Sequence, residues 1–486
     1  MTTDPTATIR NATPYLRTWL ETQAAHRRVP GVQVAVRSAG ELVLSAAVGV
    51  ADAGTGAPLT PAHLFHVASH SKTFTATAVL QLVDAGRMRL DDPIGSYVPE
   101  LADAGSPVAR VPVRELLGHQ SGVTRDGAHA DFWQLETAFP DRAALLAEVR
   151  DGGVVHARNE HFKYSNVGFA LLGLAVESVT GTPFAEHVRT AVLDPLGLTR
   201  TGADHDPARA DEYAAGHTGL LPGEQTRLVL GHRGTGAYAP ATGFWSTAEE
   251  LSAFAEAALV LGDGRLLSDD ARRLMQRLES VVTAYGTEIG RYGLGVELST
   301  VGERQLVGHS GGWPGHLTLT VADPAAGLVV SVLTNAIDGP AQELAHGLVK
   351  LVDVALSPRA VVPPPPADAP PLHTFTGRFA GLWGMVDVVE LGGRLVLVRP
   401  TAPDPLLGIE ELQVVDDRTL RVAAQPGFGA AGEDVHLERD ADGAVASVRL
   451  AGVTLRPMAD FLRRRGATAR GPEADLPGAG TSGNAP

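Results

Sequence analysis

The sequence predicts an α/β (α+β) chain in two parts: a large domain in which an antiparallel sheet is flanked by helices and joined to a helical lobe, then a small all-β barrel. Three observations predict it. Strand-like runs open and close the first 356 or so residues with helical patterns between them. The segment "VVPPPPADAPP" at 361–371 then interrupts the chain. Beyond it, alternation of apolar and polar residues replaces helical spacing almost completely.

Taken in order, "ATPYLRTWLETQAAHRR" reads as an opening amphipathic helix. "GVQVAVRSAG" and "ELVLSAAVGV" read as a hairpin turning at Ser38-Ala39-Gly40. Three helical stretches come next, "KTFTATAVLQLVDAG", "VGFALLGLAVESVTG" and "TAEELSAFAEAALVLG". Each closes on a glycine, the residue a helix C-terminus favours. The period then shortens: "YGLGVELSTV", "RQLVGHSG", "HLTLTVAD" and "GLVVSVLTN" form an antiparallel meander, and "PAQELAHGLVKLVDVAL" is a final helix. This divides the chain into a first domain at 1–358, a semi-rigid linker at 359–371, a closed or nearly closed barrel at 372–464 and a disordered tail at 465–486.

Composition narrows the function. Acidic residues outnumber basic ones 55 to 40, giving a net charge of -15. Nucleic acid and anionic membrane are therefore poor partners. There is no cysteine, which excludes disulfides, thiolate metal sites and cysteine nucleophiles. The 17 histidines show no ligand-spaced pair, and the pattern calls for neither metal nor cofactor. No stretch reaches the roughly eighteen apolar residues of a membrane span. The N-terminus lacks a signal-peptide pattern, so the expectation is a cytoplasmic protein. Oligomeric state is not written in the sequence.

Two serines compete for nucleophile. "GHSGG" at 308–312 fits G-x-S-x-G, which would make Ser310 the nucleophile of an α/β-hydrolase elbow. An elbow needs a helix after the serine, whereas this chain continues with Trp313-Pro314-Gly315 and the strand-like "HLTLTV". The context fails. In "HVASHSKTF", Ser69 and Lys72 stand three apart at a helix start, so both side chains share one face. Ser71 points about 100° away. A lysine stripped of water beside a serine favours ionisation of the hydroxyl.

Two more groups support Ser69. In "FKYSNVGF", Tyr164 and Asn166 lie two apart just before a helix, where alternate side chains face the same way. A phenol whose pKa a lysine lowers serves as base and acid, and an amide bonds substrate and lysine. His309 and Gly311 end a β run, and glycine there lets a substrate or a neighbouring backbone come close.

Ser69-x-x-Lys72, Tyr164-x-Asn166 and His309-x-Gly311, in this order, resemble the serine β-lactamase and penicillin-binding-protein superfamily. They are most similar to its class C-like branch of esterases and D-aminopeptidases. The resemblance spans roughly residues 10 to 356 and implies an acyl-enzyme on Ser69, with Tyr164, coupled to Lys72, as the base. It also implies an oxyanion hole from the N–H groups of Ser69 and Gly312, with Asn166 and His309 serving substrate and proton network. His309-x-Gly311 departs from the K-T-G of β-lactamases, which argues against antibiotic hydrolysis: histidine supplies positive charge only when protonated.

The expected substrate is a small molecule or peptide cleaved at an amide or ester, with acyl transfer or peptide cyclisation as the alternative. Trp313, Tyr238, Phe244, Trp133 and Gly311 are candidate pocket residues, against the plainer reading of the aromatics as packing. The barrel resembles the lipocalin-like domains of some members of this branch. In it, the "GLWGMVD" loop at 381–387 is the candidate to border the cleft. Arg456 is the candidate to pair with a substrate carboxylate, against the plainer reading of an exposed barrel arginine.

Overall fold

The computed structural model describes residues 4–150, 152–357, 362–424 and 429–468. Contacts divide the chain into two compact units, 1–350 and 351–486.

The first unit is organised by nine antiparallel strands. In chain order the main ones are β1 (Gly31–Ser38), β2 (Glu41–Asp52), β3 (Ala57–Pro58), β4 (Ser280–Ala284), β5 (Thr287–Tyr292), β6 (Glu297–Val301), β7 (Arg304–Trp313), β8 (His316–Asp323) and β9 (Leu328–Thr334). Their order across the sheet is β3-β2-β1-β9-β8-β7-β6-β5-β4. The N-terminal hairpin therefore joins the late meander through β1 and β9, with Val34 opposite Val332. The turn at Ala39 and Gly40 takes positive φ at both residues, as a tight hairpin requires.

β1 explains why helices cover both faces. Gln33 accepts the N–H of Ala248, and Arg37 pairs with Glu256 at 2.6 Å. Odd positions thus face helix α4 (Ala248–Ala255). Val32, Val34 and Val36 alternate to the other face and are equally buried. Helix α1 (Pro5–His26) packs on β1 and β2 and touches helix α5 (Ala341–Leu356) where Gly347 meets Trp19. A Cβ on Gly347 would lie 2.3 Å from that indole, so only glycine allows the approach.

The helical lobe rests on α2 (Ser71–Asp84) and α3 (Asn166–Thr180). α2 is buried nearly all round, its polar residues Ser71, Lys72, Thr73, Thr75 and Thr77 included. α3 starts where Ser165 caps the helix by accepting the Gly168 N–H at 2.8 Å. Gly181 ends it at φ 74. No single helix among the described residues is long and apolar enough to cross a membrane.

The second unit is a closed barrel of eight antiparallel strands: β10 (Gly377–Gly381), β11 (Gly384–Leu391), β12 (Arg394–Val398), β13 (Glu410–Val414), β14 (Thr419–Val422), β15 (Asp434–Arg439), β16 (Val445–Leu450) and β17 (Val453–Pro457). β17 pairs back to β10 and closes it, which leaves no strand edge. Its core is the inward-facing set that includes Phe379, Val388, Leu397, Leu420 and Val448. Helix α6 (Met458–Thr468) comes after the last strand. The expected disordered tail is corrected here, since residues 465–468 belong to that helix; the rest of that expectation lies outside the described residues.

Candidate active site

Ser69 sits in the short turn Ala68–His70 that leads into α2. The residue before it, Ala68, has φ 46. A left-handed non-glycine residue is strained, and such strain persists only where the surroundings enforce it. Here they do: Val67 N–H is bonded to Phe244 O at 2.9 Å and Ser71 Oγ donates to Ala68 O at 2.5 Å. β7 presses from the side. A Cβ on Gly311 would fall 2.1 Å from Val67 O, so the glycine of His309-x-Gly311 admits a neighbouring backbone, the one carrying the nucleophile candidate.

Lys72, one turn on from Ser69, is completely buried. Its Nζ lies 3.2 Å from Ser69 Oγ, 2.7 Å from Asn166 Oδ1 and 2.7 Å from Ala241 O. It also lies 4.6 Å from the Tyr164 ring centre. Burial pulls its pKa well below 10.5, with Asp126 opposing. Tyr164 OH donates to Ser69 Oγ at 2.7 Å. Burial pushes this phenol up from 10, which corrects the expectation of a tyrosine made acidic by its lysine. Lys72 is the group shifted toward neutrality, because one burial drives the ammonium to lose a proton and the phenol to keep one.

Asn166 Oδ1 and Ala241 O can only accept, so Lys72 Nζ donates to both, and its third contact is with Ser69 Oγ, which also receives the Tyr164 O–H. Once Lys72 has lost a proton, the lone pair of its amine faces Ser69 Oγ and can accept the hydroxyl proton.

Asn166 Nδ2 donates to Asp126 Oδ1 at 2.6 Å. His309 is buried, with Nδ1 on Ser310 O at 2.6 Å and Nε2 on Tyr292 OH at 2.9 Å. A backbone carbonyl only accepts, so the proton is on Nδ1 and Nε2 takes the tyrosine proton. Burial pulls its pKa down to about 3, which keeps the ring in its neutral form. It supplies no positive charge to the cleft.

Ser310 has a different surrounding. Its Oγ donates to Glu297 Oε1 at 2.6 Å and its N–H to Glu297 Oε2 at 3.1 Å. The reason is register: β6 stops pairing with β7 at Glu297 opposite Gly308, so the Glu297 side chain supplies one more rung. The Ser310 N–H therefore points away from β8. By the alternation of an antiparallel ladder, the Gly312 N–H points to the same open edge.

The other candidates divide. Phe244 is corrected from pocket wall to core: its ring stacks on Phe74 at 4.5 Å with no exposed surface. Tyr238 is buried, its OH on Asp126 O at 3.3 Å. Trp313 is 1% exposed and packs between His66 and Phe139, and Trp133 meets it edge-on at 5.9 Å. These rings form one packed aromatic cluster. Arg456 lies on β17 opposite Ala380, in the barrel unit. "GLWGMVD" forms the β10–β11 tip, where Trp383 is 93% exposed.

Arg125, Asp126, Tyr292 and Glu297 went unread in the sequence. A clue existed for Glu297, a lone acid in the apolar run "YGLGVEL", but its partner is set by strand register.

An antiparallel sheet with a helical lobe, and a serine joined to a buried lysine and a tyrosine between them, define a serine hydrolase of amides or esters. The chain belongs to the beta-lactamase family, whose description, Beta-lactamase, matches residues 16–353. It is 30% identical to penicillin-binding protein 4 of Amycolatopsis lactamdurans over 315 residues, 63% of this chain and 81% of that one. The crystal structure of D-amino acid amidase from Ochrobactrum anthropi SV3 complexed with L-phenylalanine is similar at a TM-score of 0.60 and 25% identity, over 71% of this chain and 99% of that one. The crystal structure of SurE is similar over 94% of this chain and 100% of that one, at a TM-score of 0.60 and 25% identity.

Proposed function

We propose that the protein cleaves amide or ester bonds through an acyl-enzyme on Ser69, with small D-configured peptides and amides as its substrates. The observation that carries this reading is the convergence of Lys72 Nζ and Tyr164 OH on Ser69 Oγ at 3.2 and 2.7 Å. The D-configuration is suggested by the amidase to which the chain is similar.

In this reading neutral Lys72 takes the Ser69 proton as Oγ attacks the carbonyl carbon. The oxyanion is met by the N–H groups of Ser69 and Gly312. Tyr164, still protonated, gives its proton to the leaving nitrogen or oxygen, and the new Lys72 ammonium replaces it. Water repeats the sequence on the acyl-enzyme and frees Ser69. Asn166 holds Lys72 and is itself held by Asp126. Glu297 keeps the β7 edge, and so Gly312, in place.

The experiment is release of nitroaniline from D- and L-alanine nitroanilides, and of nitrophenol from short esters, by wild type and Ser69→Ala. Turnover by wild type with a D preference, lost in the variant, is expected. Equal turnover by the variant overturns the assignment. Added amine acceptors separate hydrolysis from acyl transfer by the product formed.

A further inference from the structure

We infer that Arg125 is the specificity-determining residue that binds an anionic group on the leaving side of the substrate. The inference rests on the reading of Ser69 and Tyr164 above and names a substrate class for it.

The backbone of Arg125 is fixed to the start of α3, since its carbonyl accepts the N–H of Asn166 at 2.8 Å and of Val167 at 3.1 Å. This places the residue beside Tyr164. Its guanidinium carbon is 5.4 Å from the centre of the Tyr164 ring, and its side chain is 63% exposed. One tyrosine ring thus separates a solvent-accessible cation from Ser69 Oγ. Because Tyr164 OH protonates the departing atom, the departing half of the substrate rests against that ring.

The fork of Arg125 is open. Nε donates to Asp126 Oδ2 at 3.0 Å, while Nη1 and Nη2 make no hydrogen bond among the described residues. Two nitrogens in one plane, each with N–H groups to give, match the two oxygens of a carboxylate or phosphate. An exposed pair between neighbours such as Arg125 and Asp126 adds little stability, so the pair does not by itself account for the residue. Asp126 does more: its Oδ1 receives Asn166 Nδ2 at 2.6 Å, so one carboxylate aligns both the open guanidinium and the amide that holds Lys72.

The other basic side chains near Ser69 are committed. Lys72 has three contacts and no exposed surface. His309 has both nitrogens engaged and is neutral. The charge that a lysine in His309's position would offer an anion is therefore offered from the Tyr164 side, by a residue that cannot lose its proton.

The test tracks Ser69 by mass spectrometry as a fluorophosphonate probe labels it, in the presence of acyl-D-alanyl-D-alanine, its C-terminal carboxamide, or the acyl-D-alanine amide of aminoethyl phosphate. In wild type the carboxylate peptide protects Ser69 at about tenfold lower concentration than the carboxamide. The phosphate arm shows whether any oxyanion serves or a carboxylate alone. In Arg125→Gln the ratio falls to near one, Arg125→Lys keeps part of it, and rising ionic strength weakens it in wild type. Equal protection by carboxylate and carboxamide in wild type, or a ratio unchanged in Arg125→Gln, overturns the inference while Ser69 labelling stands. Labelling elsewhere than Ser69 overturns the underlying reading instead.

Discussion

Ser69 and Ser310 lie on two segments that touch, and each makes a short hydrogen bond, yet their surroundings differ in kind. Ser69 sits in a strained turn and meets one group able to take a proton, Lys72, and another able to give one, Tyr164. Ser310 sits mid-strand and gives both its hydroxyl and its N–H to one carboxylate. That carboxylate completes a sheet edge. The comparison teaches that a nucleophile is defined by a complete proton path, and that a serine lacking a donor for the leaving group is a structural element.

The largest expected effect breaks the comparison outright. Ser69→Ala should abolish turnover, a loss of about 10⁵-fold or more by analogy with nucleophile removal in other serine hydrolases, measured as initial rates with the nitrophenyl ester. Ser310→Ala should cost only a few-fold in the same assay.

Lys72→Met comes next, with a loss of about 10³-fold as for removal of a general base. Its pH behaviour is more telling. Because burial lowers Lys72 from 10.5, the amine sheds its proton below the usual lysine range. The kcat/KM of wild type therefore climbs as pH rises through that depressed value. Tyr164, pushed up, stays protonated across the plateau. His309, pulled down to about 3, adds no step between pH 5 and 8. A pH–rate profile that instead falls as pH rises through the neutral range contradicts this proton assignment. Tyr164→Phe should lower kcat by about 10²-fold, and less for nitrophenyl esters than for amides, since nitrophenolate leaves without a proton.

The smallest effect sharpens the role of the Ser310 side. Glu297→Ala should lower kcat by about tenfold with KM little changed, a fraction of what losing an oxyanion donor costs. Glu297→Gln should recover most of it, because the amide oxygen still accepts the Ser310 N–H. Equal losses in both variants would show that charge, rather than position, matters at Glu297.

Legibility in the sequence tracks the range of the interaction. Ser69 and Lys72 are readable because a helix turn brings residues three apart together, and Ser310 is set aside because a strand comes after it. The hairpin, the meander and the barrel are readable from alternation. Glu297, Tyr292, Asp126 and Arg125 are not, because strand register and loop packing bring them in from distant positions. Tyr164 is legible, but the upward push that burial gives its pKa is not, since burial leaves no mark in the sequence. Phe244 is misread for the same reason. α6 is missed because its few apolar residues run into the charged stretch "LRRRG".

The central claim is that Ser69 is the nucleophile, and one measurement tests it most directly: the site of fluorophosphonate attachment in the wild-type protein, mapped by peptide mass spectrometry. The account requires the adduct on Ser69 and none in Ser69→Ala. An adduct on Ser310, retained when Ser69 is replaced, would contradict it.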